Sequence, residues 1–294
     1  MELRVLNYFL AIAREGSFTK AADMLHVTQP TLSRQIADLE RELGVKLFIR
    51  SNHSILLTDD GRMLKHRAQE ILSLADKTKR DLLKKEGSLS GTVSIGSGEF
   101  RSTEYLAKVI SGFNSRYPDV KYEIYSGNAV NIRDYIERGF LDLGLMSEPI
   151  DVRKYDFVNM PINEQWGVFI PEDSCLFGKE TVTPRDLEGM SVITATGDFN
   201  QSRIGKWLGD HKDKVEIIAT ANLPYNEAVL AQENIGVMLS INLNCKYEKL
   251  SFIPLSPKLE VSTALAWKKE QVFSTATSQF IEFAKQYLIS ISED

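Results

Sequence analysis

Apolar residues recur at three- and four-residue spacing through the first 86 positions and in short strand-like runs after about residue 91, so pattern alone divides the chain into a helical part and a β-α part. Leu3, Leu6, Phe9, Leu10 and Ala13 share one face of a first helix over residues 2–15, which Gly16 stops. Ser17 then caps a second helix whose inward residues are Ala21, Ala22 and Leu25, small enough near the middle for close helix crossing. His26 and Val27 lead into Thr28, an N-cap, and Pro30 falls in the first turn of a third helix, where its missing N–H costs nothing. That helix runs to Leu43, with Leu32, Ile36, Leu39 and Leu43 as its inward stripe, and Gly44 ends it. Leu47 and Ile49 against Ile55 and Leu57 flank the polar turn 50–53, predicting a two-stranded wing. Thr58 caps a long helix, with Asp59 and Asp60 complementing its dipole, that reaches about residue 86. Within it Leu64, Ala68, Ile71, Ala75, Thr78 and Leu82 step by four and three residues, a heptad seam that requires a partner helix. Ala and Thr make that seam weak. The segment 87–91, GSLSG, is a flexible linker.

Beyond the linker, strands and helices alternate. TVSIG, VKYEIYSG and LDLGLM read as strands, with helices over 102–117 and 132–138 between them, followed by the strand YDFVNMP. A second set follows with WGVFI, SVITAT, a helix at 202–208, VEIIATA, a helix at 225–233 and IGVMLS. VSTALAWK and a last helix over 274–288 close the chain. Repeated β-α-β units predict parallel sheets covered by helices. Two sets of about equal size predict two lobes with a ligand cleft at the strand ends between them.

The remaining face of the third helix carries candidate chemistry. Thr28, Gln29, Pro30, Thr31, Ser33 and Arg34 present short hydrogen-bonding groups and one guanidinium at its N-terminal end, a set suited to base edges and phosphates in a major groove. Arg50, Asn52 and His53 at the wing tip are placed to reach phosphate or the minor groove. Taken alone, the hairpin fits a solvated helix pair as well as a DNA reader. The seam at Leu64, Ala68, Ile71, Ala75 and Leu82 tips the balance, because pairing two copies sets two readers on successive major grooves about 34 Å apart. The net charge of −5 divides unevenly: +3 over residues 1–86 and −8 over the rest. Specificity therefore rests on particular contacts rather than bulk charge.

Several classes fall away. Residues 1–13 form an amphipathic helix rather than a signal peptide, and no apolar run approaches the roughly 20 residues of a membrane span, so a cytoplasmic location and no membrane partner are expected. The four histidines lack metal-ligand spacing, so no metal is expected. Nor is a cofactor: Gly96, Ser97 and Gly98 begin like a dinucleotide loop, but Arg101 stands where the third glycine belongs. With no G-x-S-x-G, no P-loop and no His-Asp pairing, the chain is not expected to be an enzyme. Cys175 and Cys245, 70 residues apart, are expected to be buried or incidental thiols.

The sequence strongly resembles the LysR-type transcriptional regulators along its whole length. The resemblance rests on Phe9, Ser17, Phe18, Ala21, Ala22 and Leu25, on the runs VTQPTLSRQIADLE, LGVKLFIR and LTDDGR, and on GFLDLGL at 139–145 and VTPRDLEGMSVI at 182–193. It implies an α+β chain: an N-terminal winged helix-turn-helix over 1–58, a linker (dimerisation) helix and hinge over 59–90, and a two-lobed α/β effector-binding domain over 91–294 resembling periplasmic binding proteins. Lobe I would take about 91–161 plus 268–294 and lobe II about 162–267, with the chain crossing between them near 161–165 and 261–267. It further implies a homodimer or homotetramer on an inverted-repeat promoter site in double-stranded DNA, a small-molecule effector, and contact with RNA polymerase.

The candidate effector site is then the set of strand-end loops: Ser97, Gly98 and Glu99, next Ser126 and Asn128 about Gly127, and Thr194 to Thr196 across the cleft. Hydroxyls and free N–H groups at helix starts suit an anion. Glu99 cuts against that unless Arg101 neutralises it or it points outward, so a cationic or neutral ligand stays open. Two other readings remain: a thiol-based redox regulator acting through Cys175 and Cys245, and a solute-binding protein, which the missing export signal disfavours.

Overall fold

A computed structural model describes residues 1–50, 55–82, 88–197 and 202–291. The chain separates into two compact units, residues 1–83 and 84–294.

The first unit holds α1 (Leu3–Glu15), α2 (Phe18–Met24), α3 (Gln29–Leu43), the ribbon of β1 (Phe48–Arg50) and β2 (Ile55–Leu57), and α4 (Asp59–Leu82). The caps fall where the residue types place them. Ser17 Oγ accepts the Lys20 N–H, Thr28 Oγ1 accepts the Thr31 N–H, and Thr58 Oγ1 accepts the Gly61 N–H. Gly44 closes α3 with φ of 71°, a left-handed conformation that a side chain would strain. The core differs slightly from the expected stripe. Val5, Leu6, Phe9, Ala11 and Ile12 are the buried residues of α1, whereas Leu3 and Leu43 are exposed, because both lie at helix ends past the neighbouring helices. Phe9, Phe18 and Phe48 meet at centroid distances of 5.3 and 5.8 Å and join the wing to the helices.

The second unit is built on one nine-stranded sheet among the described residues. Its strands are β3 (Gly91–Ser97), β4 (Val120–Ser126), β5 (Leu143–Ser147), β6 (Tyr155–Pro171), β7 (Ser191–Ala195), β8 (Glu216–Ala221), β9 (Val237–Ile241), β10 (Leu250–Pro254) and β11 (Glu260–Lys268). The order is β4-β3-β5-β11-β6-β9-β7-β8, with β10 beside β6. The triplets β4-β3-β5 and β8-β7-β9 are parallel, as β-α-β units require. The pairings of β11 with β5 and β6, and of β6 with β9 and β10, are antiparallel, so the sheet is mixed rather than purely parallel.

Two strands join the lobes. YDFVNMP and WGVFI, expected as separate strands, are one 17-residue strand, β6, because the polar residues Asn163 to Gln165 continue pairing with β11 beyond an irregularity at 160–162. β10 was not anticipated; its alternation is short and opens at Leu250 after an exposed segment. Helices α5 (Thr103–Arg116), α6 (Ala129–Glu137) and α9 (Thr275–Ser290) cover the first lobe, and α7 (Arg203–Leu208) and α8 (Pro224–Gln232) the second. The lobes have separate apolar cores. Phe113 meets Phe280 edge-on at 5.3 Å over Val93, Ile95 and Leu265 in one; Val168, Val192, Leu208 and Leu239 centre the other. Each such side chain, fully buried, contributes about 1.5–3 kcal/mol.

Candidate DNA-reading and effector sites

In the first unit α3 is divided by burial. Leu32, Ile36 and Leu39 are buried, and Thr28, Gln29, Pro30, Thr31 and Arg34 are exposed, with Ser33 half-buried between them. Thr28 and Thr31 hydroxyls hydrogen-bond at 2.8 Å, which pins the first turn. Arg34 extends into solvent with Nε 3.9 Å from Asp38, too long to hold it, and Asp38 pairs at 2.9 Å with Arg41. The guanidinium of Arg34 is thus available for phosphate. Arg50 ends β1, paired with Ile55; its side chain, together with Asn52 and His53, lies outside the described residues.

Glu40 locks the wing to α3 and was not anticipated. It is 7% exposed, and its Oε1 accepts the N–H groups of Leu47 (2.9 Å) and Phe48 (3.4 Å) while Oε2 accepts Lys46 Nζ at 2.8 Å. Burial pushes its carboxyl up, but these bonds outweigh it and hold it below the usual range. The only sequence signal was a carboxylate one turn before Gly44 and six residues before a lysine.

Along α4 the expected seam splits. Leu64 and Ala68 join the protomer's own core with α1, so they are spent within the chain. Ala75 is half-buried, while Ile71, Leu74 and Leu82 remain exposed. The apolar surface open to a partner is therefore displaced toward the C-terminal half of the helix.

In the second unit a cavity of about 570 Å³ lies between the lobes. Its floor is Trp166 and Val261 on the crossing strands; Ser147 to Pro149 wall it from one lobe, and Thr194, Thr196, Arg203 and Lys206 from the other. The Trp166 side chain lines it while its Nε1, buried without a hydrogen-bond partner, has no accessible surface. Arg203 spans the cleft, donating to the carbonyls of Glu148 and Glu260, each at 3.4 Å.

The expected effector residues separate into two groups. Thr194 and Thr196 line this cavity, Thr194 donating from Oγ1 to the Leu239 carbonyl at 3.0 Å. Ser97, Gly98, Glu99, Ser126 and Asn128 do not line it. The loops after β3 and β4 do adjoin, through the Gly127 N–H to the Ser97 carbonyl at 3.1 Å. Ser97 donates to the Gly98 carbonyl and Asn128 caps α6 through the Asn131 N–H. Ser126 is exposed. Glu99 neither pairs with Arg101 nor points to solvent. It crosses to the second lobe, where the Tyr225 N–H of α8 donates to it, and burial raises its pKa despite that bond.

Another unanticipated carboxylate, Glu164, sits fully buried on β6 where the strand passes between lobes. It accepts the N–H groups of Arg101 and Ser102 at 2.9 Å each, filling the α5 N-terminus with a negative charge of the chain's own. Ser102 Oγ is in turn bonded to Thr263 Oγ1 of β11 at 2.8 Å. That helix start, the natural anion site, is thus already satisfied. Cys175 and Cys245 are both free and, contrary to expectation, exposed; each lies in a connection outside the strands. Among the described residues no group of three or more His, Cys, Asp or Glu could hold a metal, and no helix is long and apolar enough to cross a membrane.

A winged helix-turn-helix with an open polar reading face, followed in the same chain by a two-lobed body around a ligand-sized cleft, defines a DNA-binding regulator with a sensing domain. The model of the bacterial regulatory helix-turn-helix protein of the lysR family matches residues 3–62, and that of the LysR substrate binding domain matches 86–289. The chain belongs to the LysR family: it is a DNA-binding transcriptional regulator whose partners are double-stranded DNA and a small-molecule effector. The Hca operon transcriptional activator HcaR of Escherichia coli strain K12 is 28% identical, covering 99% of this chain and 100% of its own. An uncharacterised helix-turn-helix regulator of Bacillus subtilis strain 168, YvbU, is 25% identical over 97% of this chain and 98% of its own. The crystal structure of full-length CbnR with its target DNA shares the fold, with a TM-score of 0.74 at 21% identity over 98% and 100% of the two chains.

Proposed function

We propose that Gln29 and Ser33 read base edges in the major groove, with Thr28, Pro30, Thr31 and Arg34 seating α3 against the phosphates and with Arg50, Asn52 and His53 extending the contact from the wing. Two copies pair through Ile71, Leu74 and Leu82 of α4 into a homodimer that binds an inverted repeat, and dimers join into a homotetramer that contacts RNA polymerase. The cytoplasm is its place of action, and it carries out no catalysis. The observation that supports the reading half is the division of α3, apolar inside and short polar groups outside, at the end of the helix that enters a groove.

The effector binds in the cleft between the lobes, against Thr194, Thr196, Arg203 and the indole of Trp166, and the loops at Ser97 to Glu99 and Ser126 to Asn128 close over it. Selection of random duplexes by the full chain tests the first half. Gln29→Ala should relax preference at about one base position, costing roughly 1–3 kcal/mol on the selected site and little on random DNA. Equal losses on both sink the assignment. A thermal-shift screen of small metabolites tests the second, since a ligand of the native state raises the melting temperature; the response should fall in Trp166→Phe.

A further inference from the structure

Two carboxylates from opposite lobes face each other beyond the lining of the cavity described above. Glu99 comes from the β3–α5 loop of one lobe and Glu227 from the first turn of α8 in the other. Each leaves its Oε2 buried and without a hydrogen-bond partner. Glu227 is 1% exposed, which makes an unpaired acceptor there costly. The partners that these groups do have are the Tyr225 N–H beside Glu99 and the Ser240 hydroxyl of β9 beside Glu227. Among the described residues neither carboxylate forms an ion pair with Lys, Arg or His. Tyr247 neighbours the pair from the segment between β9 and β10, and its ring packs edge-on to Phe169 at 5.3 Å beside Phe252.

We infer that Glu99 and Glu227 together receive the positively charged nitrogen of an organic ligand, an ammonium or amidinium group, that reaches past the cavity lining between the lobes. The inference rests on the reading of that cleft as the effector site. Donor counting allows it: once neither carboxylate carries a proton, two buried acceptors lack a donor, and an ammonium brings three N–H donors and an amidinium four. A metal ion is the poorer fit, because these two carboxylates lie in no group of three or more ligating side chains among the described residues. The aromatic ring of Tyr247 adds a surface on which a cation is stabilised. Electrostatics agree: burial, and then the charge of Glu99, push Glu227 up to about 7 against the Ser240 bond, a penalty that a bound cation removes.

The pH dependence follows from the groups facing the pair. Glu99, Glu227, the Ser240 hydroxyl and Tyr247 are those groups, and Tyr247, raised to about 12 by burial and then by Cys245 and the two carboxylates, stays neutral near pH 7. Cation binding should therefore weaken by up to about tenfold per pH unit below about pH 7, as Glu227 takes up its proton. The test uses the full chain with 1,4-diaminobutane and n-butylammonium chloride as probes, against sodium chloride at equal ionic strength, by calorimetry and thermal shift at about pH 8 and pH 6. The expected result is binding and stabilisation by the amines at the higher pH, lost at least about tenfold in both Glu227→Gln and Glu99→Gln, variants that relieve repulsion and so fold. Stabilisation no greater than that of sodium chloride, or undiminished in both variants, overturns the inference. Sodium butyrate and a panel of neutral and anionic metabolites run beside the amines. A response to one of those that survives in Glu227→Gln, with none to amines, removes the cationic subsite and leaves the cleft an effector site; no response to any compound removes both.

Discussion

Glu164→Ala should loosen the joint between the two crossing strands and α5. The carboxylate is fully buried and accepts two backbone N–H groups at 2.9 Å, both at the start of α5 where no intrahelical acceptor exists. Charge-assisted bonds of this kind contribute about 1.5–3 kcal/mol each, and the variant leaves both N–H groups facing a small cavity. Water entering that cavity restores part of the loss, which sets the net cost at about 3–4 kcal/mol. For a unit of this size that lowers the melting temperature by roughly 6–15 °C. Glu164→Gln keeps one acceptor and turns an NH2 toward the other N–H, so it should fall between the two. Calorimetry of the full chain reads the unit's transition, and hydrogen exchange over residues 101–106 reads the joint itself. A Glu164→Ala protein with unchanged protection there and a loss under about 1 kcal/mol would refute the account.

Three further outcomes follow. Glu227 has a folded-state pKa raised from the ordinary 4.5 to about 7, so its favourable contribution is fully present below about pH 4.5 and is lost as pH rises through about 7. The wild type should therefore lose about 3 kcal/mol relative to Glu227→Gln between those limits, read by urea unfolding across pH; a gap that does not change with pH contradicts it. Glu40→Ala frees the Leu47 and Phe48 N–H groups and the Lys46 ammonium, and should cost the first unit about 2–4 kcal/mol while weakening binding to all DNA sequences alike, measured by melting and by anisotropy with random duplex. Ile71→Glu places a charge in the exposed apolar stretch of α4 and should dissociate the α4 pairing on sizing with light scattering, whereas Ala68→Ser, at a position fully buried within the protomer, should lower stability without a direct effect on association.

Much of the first unit was legible because its determinants are local. A hydroxyl before an apolar period makes a cap, a glycine after it makes a stop, and Ser17, Thr28, Thr58 and Gly44 do these things from their own residue type and neighbours. The polar face of α3 was readable for the same reason: once Leu32, Ile36 and Leu39 turn inward, the period of 3.6 leaves Gln29, Ser33 and Arg34 no other direction. The cleft between the lobes was legible only in part. Thr194 and Thr196 line the cleft, but Trp166 and Arg203, which close it, come from a crossing strand and a short helix with no motif to mark them.

What sequence alone determined is thus the order of elements, the caps between them, the alternation of β and α in the second unit and the reading face of α3. Each of these follows from side chains within a few residues of one another. Only tertiary structure decided which apolar positions of α4 were already spent, since Leu64 and Ala68 look the same as Ile71 in a heptad until α1 lies across them. It also decided that YDFVNMP and WGVFI are one strand, because pairing with β11 carries the backbone through the polar stretch between them. The buried carboxylates show the division most sharply. Glu40, Glu164 and Glu227 read as ordinary surface acids in the sequence; the turn after α3 brings the Leu47 and Phe48 N–H groups back to the first, and only the long-range fold brings backbone N–H groups to the second and an opposing acid, Glu99, to the third.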